Sequence, residues 1–449
     1  MTNTVNSGTT ALLTDHYELT MLQAALRSGA ASRHAVFEVF ARHLPHGRRY
    51  GVVAGTGRLL DALERFRFGP DELSFLRDNR IVDETTLRFL SSYRFSGNIW
   101  GYAEGDVYFP GSPILVVEGT FAESVLLETV LLSILNHDCA IASAASRMVT
   151  AAGSRPLIEM GSRRTHEGAG VAAARAAYLA GFASSSNLQA RFAYGVPSSG
   201  TSAHAFTLAH DSEREAFAAQ LTSLGTGTTL LVDTFNVEQA VRAAVEVAGP
   251  SLGAVRIDSG DLPALAVSVR ALLDSLGATH TRIVLTGDLD EYSIAGLAVA
   301  PVDGYGVGTA LVTGSGAPTA ALVYKLVARS GVPVADEETL DYTALQPVAK
   351  RSVGKPGRGG RKWAVRERTA SGEAVTERIL LAPPADLGPT DRVLLQELVK
   401  DGKVVGREPL AGARERHTAV LAELPGYALQ LSRGYPAIPT VFGRNGEEA

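Results

Sequence analysis

The chain has 449 residues, 45% hydrophobic and 20% charged, with a formal net charge of −5. That length predicts two or three domains with an ample core, and the charge excludes a general nucleic-acid binder. A single cysteine, Cys139, excludes an intramolecular disulfide and a cysteine-rich metal site and suits a reducing cytoplasm; no apolar run reaches membrane-spanning length, so no membrane partner is expected.

Residues 1–10 are small and polar, lack the charged-then-apolar pattern of a signal peptide, and are expected to fray. Residues 11–30 have apolar positions at helical spacing, with Thr14-Asp15 as a cap and Gly29 as a stop. Ala35 to Phe40 alternates as a strand, Tyr50 to Phe66 runs into an amphipathic helix, and Gly69-Pro70-Asp71 starts another. From Phe95 to Thr120, short β-type runs between glycine and proline turns predict a small β-rich piece. Phe121 to Leu135 reads as a buried helix, and Asp138 as the cap of a second, alanine-rich helix to Thr150.

Residues 155 to about 330 alternate strand-like and helix-like runs. The strands are Leu157 to Met160, Gly181 to Ala183, Thr229 to Val232, Ala254 to Ile257, Arg282 to Leu285, Gly304 to Val307 and Ala320 to Val327. Alternation of this kind predicts a parallel sheet, and about seven units predict an irregular parallel α/β barrel. Beyond 330 the chain is polar and β-rich, with hairpins at Ser371-Gly372 and Asp401-Gly402 and a helix near Ala411 to Leu424. The expected organisation is an α/β fold with a barrel over 121–330, inserted in a mixed α/β outer domain formed by 1–120 and by 331–449 packing back on it.

Ligands in parallel α/β folds sit at the carboxyl ends of the strands, and the polar residues collect there. The runs are Gly161 to Glu167, which contains Arg163 and Arg164; Ser184 to Asn187; Asp233-Thr234; Asp258-Ser259-Gly260-Asp261 after Arg256; Thr286-Gly287-Asp288; and Gly308-Thr309. Between the second and third lies Gly195 to Phe206, a glycine- and hydroxyl-rich stretch with His204 near its end. Arginines offer planar forks for phosphate or carboxylate, and Gly-Thr and Ser-Gly turns present N–H groups to anions. Aspartates can hold Mg²⁺ or sugar hydroxyls, and no His/Cys pair has zinc-ligand spacing. The set fits a phosphorylated sugar with a metal. Plainer roles are open for several members: Asp261 is a good N-cap for a helix from Leu262-Pro263, Tyr17 fits a core position, Arg163 or Arg164 fits a surface ion pair, and Lys350 to Lys362 reads as a solvated basic loop.

Together these residues resemble nicotinate phosphoribosyltransferase, a type II phosphoribosyltransferase. The similarity spans nearly the whole chain. It rests on Leu13 to Tyr17, the Gly-Ser-Arg-Arg run at 161–164, the serine cluster ending in Asn187, Gly200 to His204, Arg256 to Asp261, Gly308-Thr309 and the lysine- and glycine-rich loop Val348 to Lys362. The resemblance implies that nicotinate displaces diphosphate from 5-phosphoribosyl-1-diphosphate (PRPP), giving nicotinate mononucleotide for NAD synthesis. It implies Mg²⁺, ATP as co-substrate acting through a phosphohistidine at His204, and a cytoplasmic homodimer in which Tyr17 reaches the partner's site to stack on the pyridine ring. Thr201 and Arg256 are implied to meet nicotinate, and Arg163, Arg164, Gly308 and Thr309 to meet PRPP. Asp233, Asp258 and Asp288 are implied metal or ribose contacts, with Asp233 and Asp258 as the metal candidates; Ser259 and Gly260 complete the same strand-end motif.

At Met160 the family often has phenylalanine, so weaker or altered ring stacking is expected. Ser186 stands where nicotinamide-using relatives carry an aspartate, and a hydroxyl there favours a carboxylate substrate over an amide. Rival readings are a nicotinamide or quinolinate phosphoribosyltransferase and a non-catalytic phosphosugar-binding barrel.

Overall fold

The computed structural model describes residues 8–331, 342, 345–352 and 357–443. These form two compact units, one of residues up to 140 together with those from 319 onward, the other of 141–318.

The first unit is built on a seven-stranded antiparallel sheet. Its order is Gln346–Pro347, Leu322–Arg329, His34–Ala41, Leu115–Thr120, Asn98–Tyr102, Leu395–Lys400 and Lys403–Val404. His34–Ala41 lies inside this sheet and is buried over most of its length, so Val36, Phe37 and Val39 join one continuous core with Leu22, Leu59, Val117 and Leu126. Phe37 stacks on Tyr324 with ring centroids 4.7 Å apart. The opening helix is His16–Ser28, ended by Gly29 at φ 75°, a conformation that favours glycine.

The late segment joins the early one through sheet pairing and buried charge. Leu395–Lys400 pairs with Asn98–Tyr102, and its hairpin turns on Asp401 and Gly402, both at positive φ. A second sheet, ordered Arg392–Val393, Trp363–Arg368, Ala374–Leu380 and Thr440–Phe442, carries Arg366. This fully buried guanidinium lies 2.9 Å from Asp106 and 2.6 Å from Glu377. Glu377 also accepts the Tyr102 hydroxyl at 2.7 Å. Buried charge is tolerated here because each member is paired on both sides.

The second unit holds a six-stranded parallel sheet in the order Ser184–Ser185, Leu157–Glu159, Gly304–Val307, Arg282–Leu285, Ala254–Ile257, Thr229–Leu231. Helices Glu167–Leu179, Glu213–Leu224, Val237–Ala248, Leu262–Ser275 and Glu291–Gly296 lie between the strands in sequence.

Four expectations are corrected. The irregular barrel is present only in part: the parallel sheet has six strands and does not close, and the seventh strand run, Leu322–Arg329, pairs antiparallel with His34–Ala41 in the other sheet. The compact units divide at 140 and 318 rather than at 120 and 330, since the apolar residues of 121–140 pack in the first core. Asp138 does not cap a new helix: Glu128–Ala152 runs unbroken through it, and its fully buried carboxylate meets Arg58 at 2.7 Å. The basic loop does not end in solvent, for Arg361 and Lys362 are buried, 2.8 Å from Glu118 and 2.7 Å from Glu38. Residues 353–356 of that loop and 1–7 of the leading tail lie outside the described residues.

Candidate active site

The carboxyl ends of the parallel strands surround a cleft of about 530 Å³. Of the residues singled out in the sequence, Met160, Arg163, Arg164, Ser186, Thr201, Arg256, Asp258, Asp288, Gly308 and Thr309 all line it. The lining is strongly polar. Met160 forms part of the apolar floor: its thioether lies so close over Gly306 that a Cβ there would come within 2.7 Å of the sulfur.

Arg256 rises from the strand Ala254–Ile257 and is partly buried. One guanidinium nitrogen, Nη2, donates to the Ser202 carbonyl at 3.3 Å, while Nε is buried with no hydrogen-bond partner. Burial pulls the guanidinium below the ordinary arginine range; the carboxylates of Asp258 and Asp233 act the other way, and the like charge of Arg163 adds to the fall. An arginine in that state favours an incoming anion.

His204 is the first residue of the short helix His204–Leu208. Its Nδ1 is 3.1 Å from the Thr234 hydroxyl, and its Nε2 faces the carboxylates of Asp233 and Asp258 at 3.8 and 3.9 Å. The imidazole is 39% exposed, so a substrate can reach it. The Asp233 side chain is almost wholly buried. Its Oδ2 accepts from the Asp258 N–H at 2.9 Å and the Ser259 hydroxyl at 2.6 Å, while Oδ1 has no hydrogen-bond partner. Asp258 in turn accepts from the Thr286 hydroxyl. His204, Asp233, Asp258 and Ser259 are thus one connected group, of which Asp258 lines the cleft and the other three do not. Asp288 lies on the rim at φ 41°, a conformation uncommon for any residue but glycine, asparagine or aspartate.

Asp261 takes its plainer role, since its carboxylate accepts from the Ala264 N–H and caps Leu262–Ser275. Gly260 supplies a positive-φ turn at φ 92° without lining the cleft. Tyr17 belongs to the first unit and is not a cleft residue. It is half-exposed beside Asp15 and Glu128, and partial burial and the Glu128 charge push its hydroxyl up to about 12.

Two acidic residues escaped the sequence reading. Glu213 is drawn upward in pKa by burial and then by the Asp233 charge, and its Oε1 is buried without a hydrogen-bond partner. Glu159, at the end of Leu157–Glu159, is fully buried under the cleft. Glu213 opens a helix and Glu159 closes a strand, positions where glutamate carries no motif signal of its own. Among the described residues no three His, Cys, Asp or Glu side chains converge to hold a metal by themselves.

A sequence family described as the nicotinate phosphoribosyltransferase N-terminal domain matches residues 12–136. A nicotinate phosphoribosyltransferase of Mycobacterium tuberculosis is 58% identical over 445 residues, covering 97% of this chain and 96% of that protein. One from Bacillus subtilis is 36% identical over 328 residues, covering 71% of this chain and 66% of its own. The crystal structure of human nicotinic acid phosphoribosyltransferase superposes with a TM-score of 0.80 at 26% identity, covering 96% of this chain and 98% of that one.

Proposed function

The chain belongs to the nicotinate phosphoribosyltransferase family, and from that premise we propose that it joins nicotinate to the ribosyl carbon of PRPP in NAD biosynthesis, with ATP hydrolysis coupled through His204. The observation that carries this reading is Arg256: a partly buried guanidinium on the cleft wall whose Nε has no hydrogen-bond partner. The nicotinate carboxylate supplies the missing acceptor, with the hydroxyls of Ser186 and Thr201, which line the same cleft, as further donors. A carboxamide offers the guanidinium and the hydroxyl only a neutral carbonyl oxygen where nicotinate offers a carboxylate, so Arg256 and Ser186 together favour the acid over nicotinamide.

The pyridine nitrogen forms a bond to C1′ of PRPP as the C1′–oxygen bond to diphosphate breaks. Arg163, Arg164 and the Gly308-Thr309 turn hold the phosphates and keep the leaving group in line. Positive charge that develops on the ribose faces Asp258 and Asp288. Met160 packs against one face of the ring, and Tyr17 of the partner subunit covers the other. A homodimer is part of this reading. It is supported by apolar side chains left exposed, among them Leu188, Phe192 and Phe235, with Phe192 86% exposed.

The residues present fit Mg²⁺. Asp233 keeps a buried carboxylate oxygen with no hydrogen-bond partner, Asp258 stands beside it, and a site with so few protein ligands suits an ion held mainly through substrate phosphates. When bound, the ion neutralises charge on the departing diphosphate. In the coupled half-reaction an imidazole nitrogen of His204 bonds to the γ-phosphorus of ATP as the bond to ADP breaks. Hydrolysis of the phosphohistidine then releases phosphate. Thr234 orients the ring through Nδ1, and Asp233 and Asp258 face its Nε2. The single, buried Cys139 suits the cytoplasmic location that belongs to the same reading.

The test is diphosphate release from PRPP, nicotinate and Mg²⁺, with and without ATP, and incubation with γ-labelled ATP followed by mapping of acid-labile phosphate. The expected result is nicotinate-dependent release and label on His204. Absence of release would reject the activity, and label persisting in His204→Ala would reject the role of that histidine.

A further inference from the structure

Glu159 is a carboxylate in a place where a carboxylate is costly. It is fully buried, and burial outweighs its hydrogen bonds and raises its pKa. Its two oxygens are divided between two different loops. Oε1 accepts from the Gly161 N–H, and Oε2 accepts from the Ser185 hydroxyl. Its backbone carbonyl accepts from the Ser186 N–H at 2.8 Å.

The connections extend from both contacts. Gly161 begins the loop with Arg163 and Arg164, and it is wedged so tightly that an added Cβ would meet Val312 at 2.2 Å and the Gly308 carbonyl at 3.0 Å. Ser185 receives the Asn187 N–H at 2.9 Å, and Asn187 reaches back to the Ser162 hydroxyl at 2.9 Å. The Ser185 backbone also bonds Pro197 and Ser199, both at 2.9 Å, which ties down the stretch that leads to Thr201. An apolar residue at 159 would fill the space but leave two donors on two loops unsatisfied. Of the side chains of this size, only a carboxylate offers two acceptors and no obligatory donor.

We propose that Glu159 is a positioning residue that sets the phosphate-facing loop 161–164 and the base-facing loop 185–187 at a fixed distance from each other, so that both substrates are presented in register. It touches neither substrate. This rests on the reading that Arg163 and Arg164 face PRPP while Ser186 faces nicotinate. The two contacts are separable. Ser185→Ala removes the base-side contact together with the acceptor for the Asn187 N–H, and leaves the Gly161 contact in place. Glu159→Gln can keep its oxygen toward the Gly161 N–H, which is a fixed donor, and so it disturbs mainly the Ser185 side, where its amide NH₂ replaces an acceptor.

The experiment is steady-state kinetics of wild type, Ser185→Ala and Glu159→Gln, varying nicotinate and PRPP in turn, with thermal melting of each. Loss of one hydrogen bond to a charged group predicts a rise of about tenfold in KM for nicotinate in Ser185→Ala, and a smaller rise in Glu159→Gln, whose NH₂ can donate to the Ser185 hydroxyl oxygen. KM for PRPP is expected to stay within about threefold of wild type, because that contact is retained. Both KM values rising together in Ser185→Ala, or kcat falling with both KM values unchanged, would overturn the proposal, since a purely structural defect gives that pattern. Wild type failing to turn over nicotinate would overturn the parent reading and this one; turnover without the split would overturn only this one.

Discussion

Replacing Arg256 by lysine keeps the charge between Asp233 and Asp258, so those carboxylates are not left uncompensated, but removes the planar fork. In the structure the guanidinium spends one nitrogen on the Ser202 carbonyl and keeps Nε for a partner it lacks. A lysine ammonium placed by the same strand carries its three donors on one atom and cannot reproduce the planar fork that spans the Ser202 carbonyl and a carboxylate. The expected loss is one charge-assisted hydrogen bond to the nicotinate carboxylate, together with its orientation, about 2–3 kcal/mol. That is about 30- to 150-fold in kcat/KM for nicotinate. Nicotinamide has no carboxylate to lose, so its much lower turnover should change little. The assay is diphosphate release with each base at saturating PRPP and Mg²⁺, alongside a melting curve to confirm that the variant is folded. A nicotinate kcat/KM within threefold of wild type would refute the assignment, as would an equal fall for both bases.

Placing a carboxylate at the cleft wall should reverse selectivity: Ser186→Asp is expected to lower the ratio of nicotinate to nicotinamide kcat/KM by at least about tenfold, through repulsion of one base and acceptance from the other, and an unchanged ratio would show that Ser186 does not face the base. His417 is buried against the Gly105 carbonyl, and burial lowers its pKa from 6.5 to about 4. Because the folded state resists protonation that the unfolded chain accepts, its contribution is complete above about pH 6.5 and is lost as pH falls toward 4. At pH 5 the linkage amounts to about 2 kcal/mol. Denaturant midpoints measured at pH 5 and pH 7 should show that difference narrowing in His417→Gln if the histidine is its source.

Local chemistry carried much of this protein's description into its sequence. Five of the six parallel strands of the second unit are legible because each is a short apolar run followed by glycine, hydroxyl or charge; the sixth, expected at Gly181 to Ala183, forms instead at Ser184–Ser185, and the cleft collects ten residues singled out in the sequence. The hairpin at Asp401-Gly402 is equally legible, since its turn needs positive φ at both positions. What sequence could not decide was partnership. Leu322–Arg329 has the same local character as the parallel strands, but it pairs antiparallel with a strand nearly 300 positions earlier, and this leaves the parallel sheet open. Asp138 has the look of a helix cap until Arg58 neutralises it inside a continuous helix. Lys362 looks like solvated charge until Glu38 receives it in the core. Glu159 shows no pattern at all, because its role lies in joining two loops that come together only when the strands pair. Backbone preference and amphipathic spacing act over a few residues and are written in order along the chain. Burial of a charge depends on what arrives from elsewhere to meet it, and that is settled only by the tertiary structure.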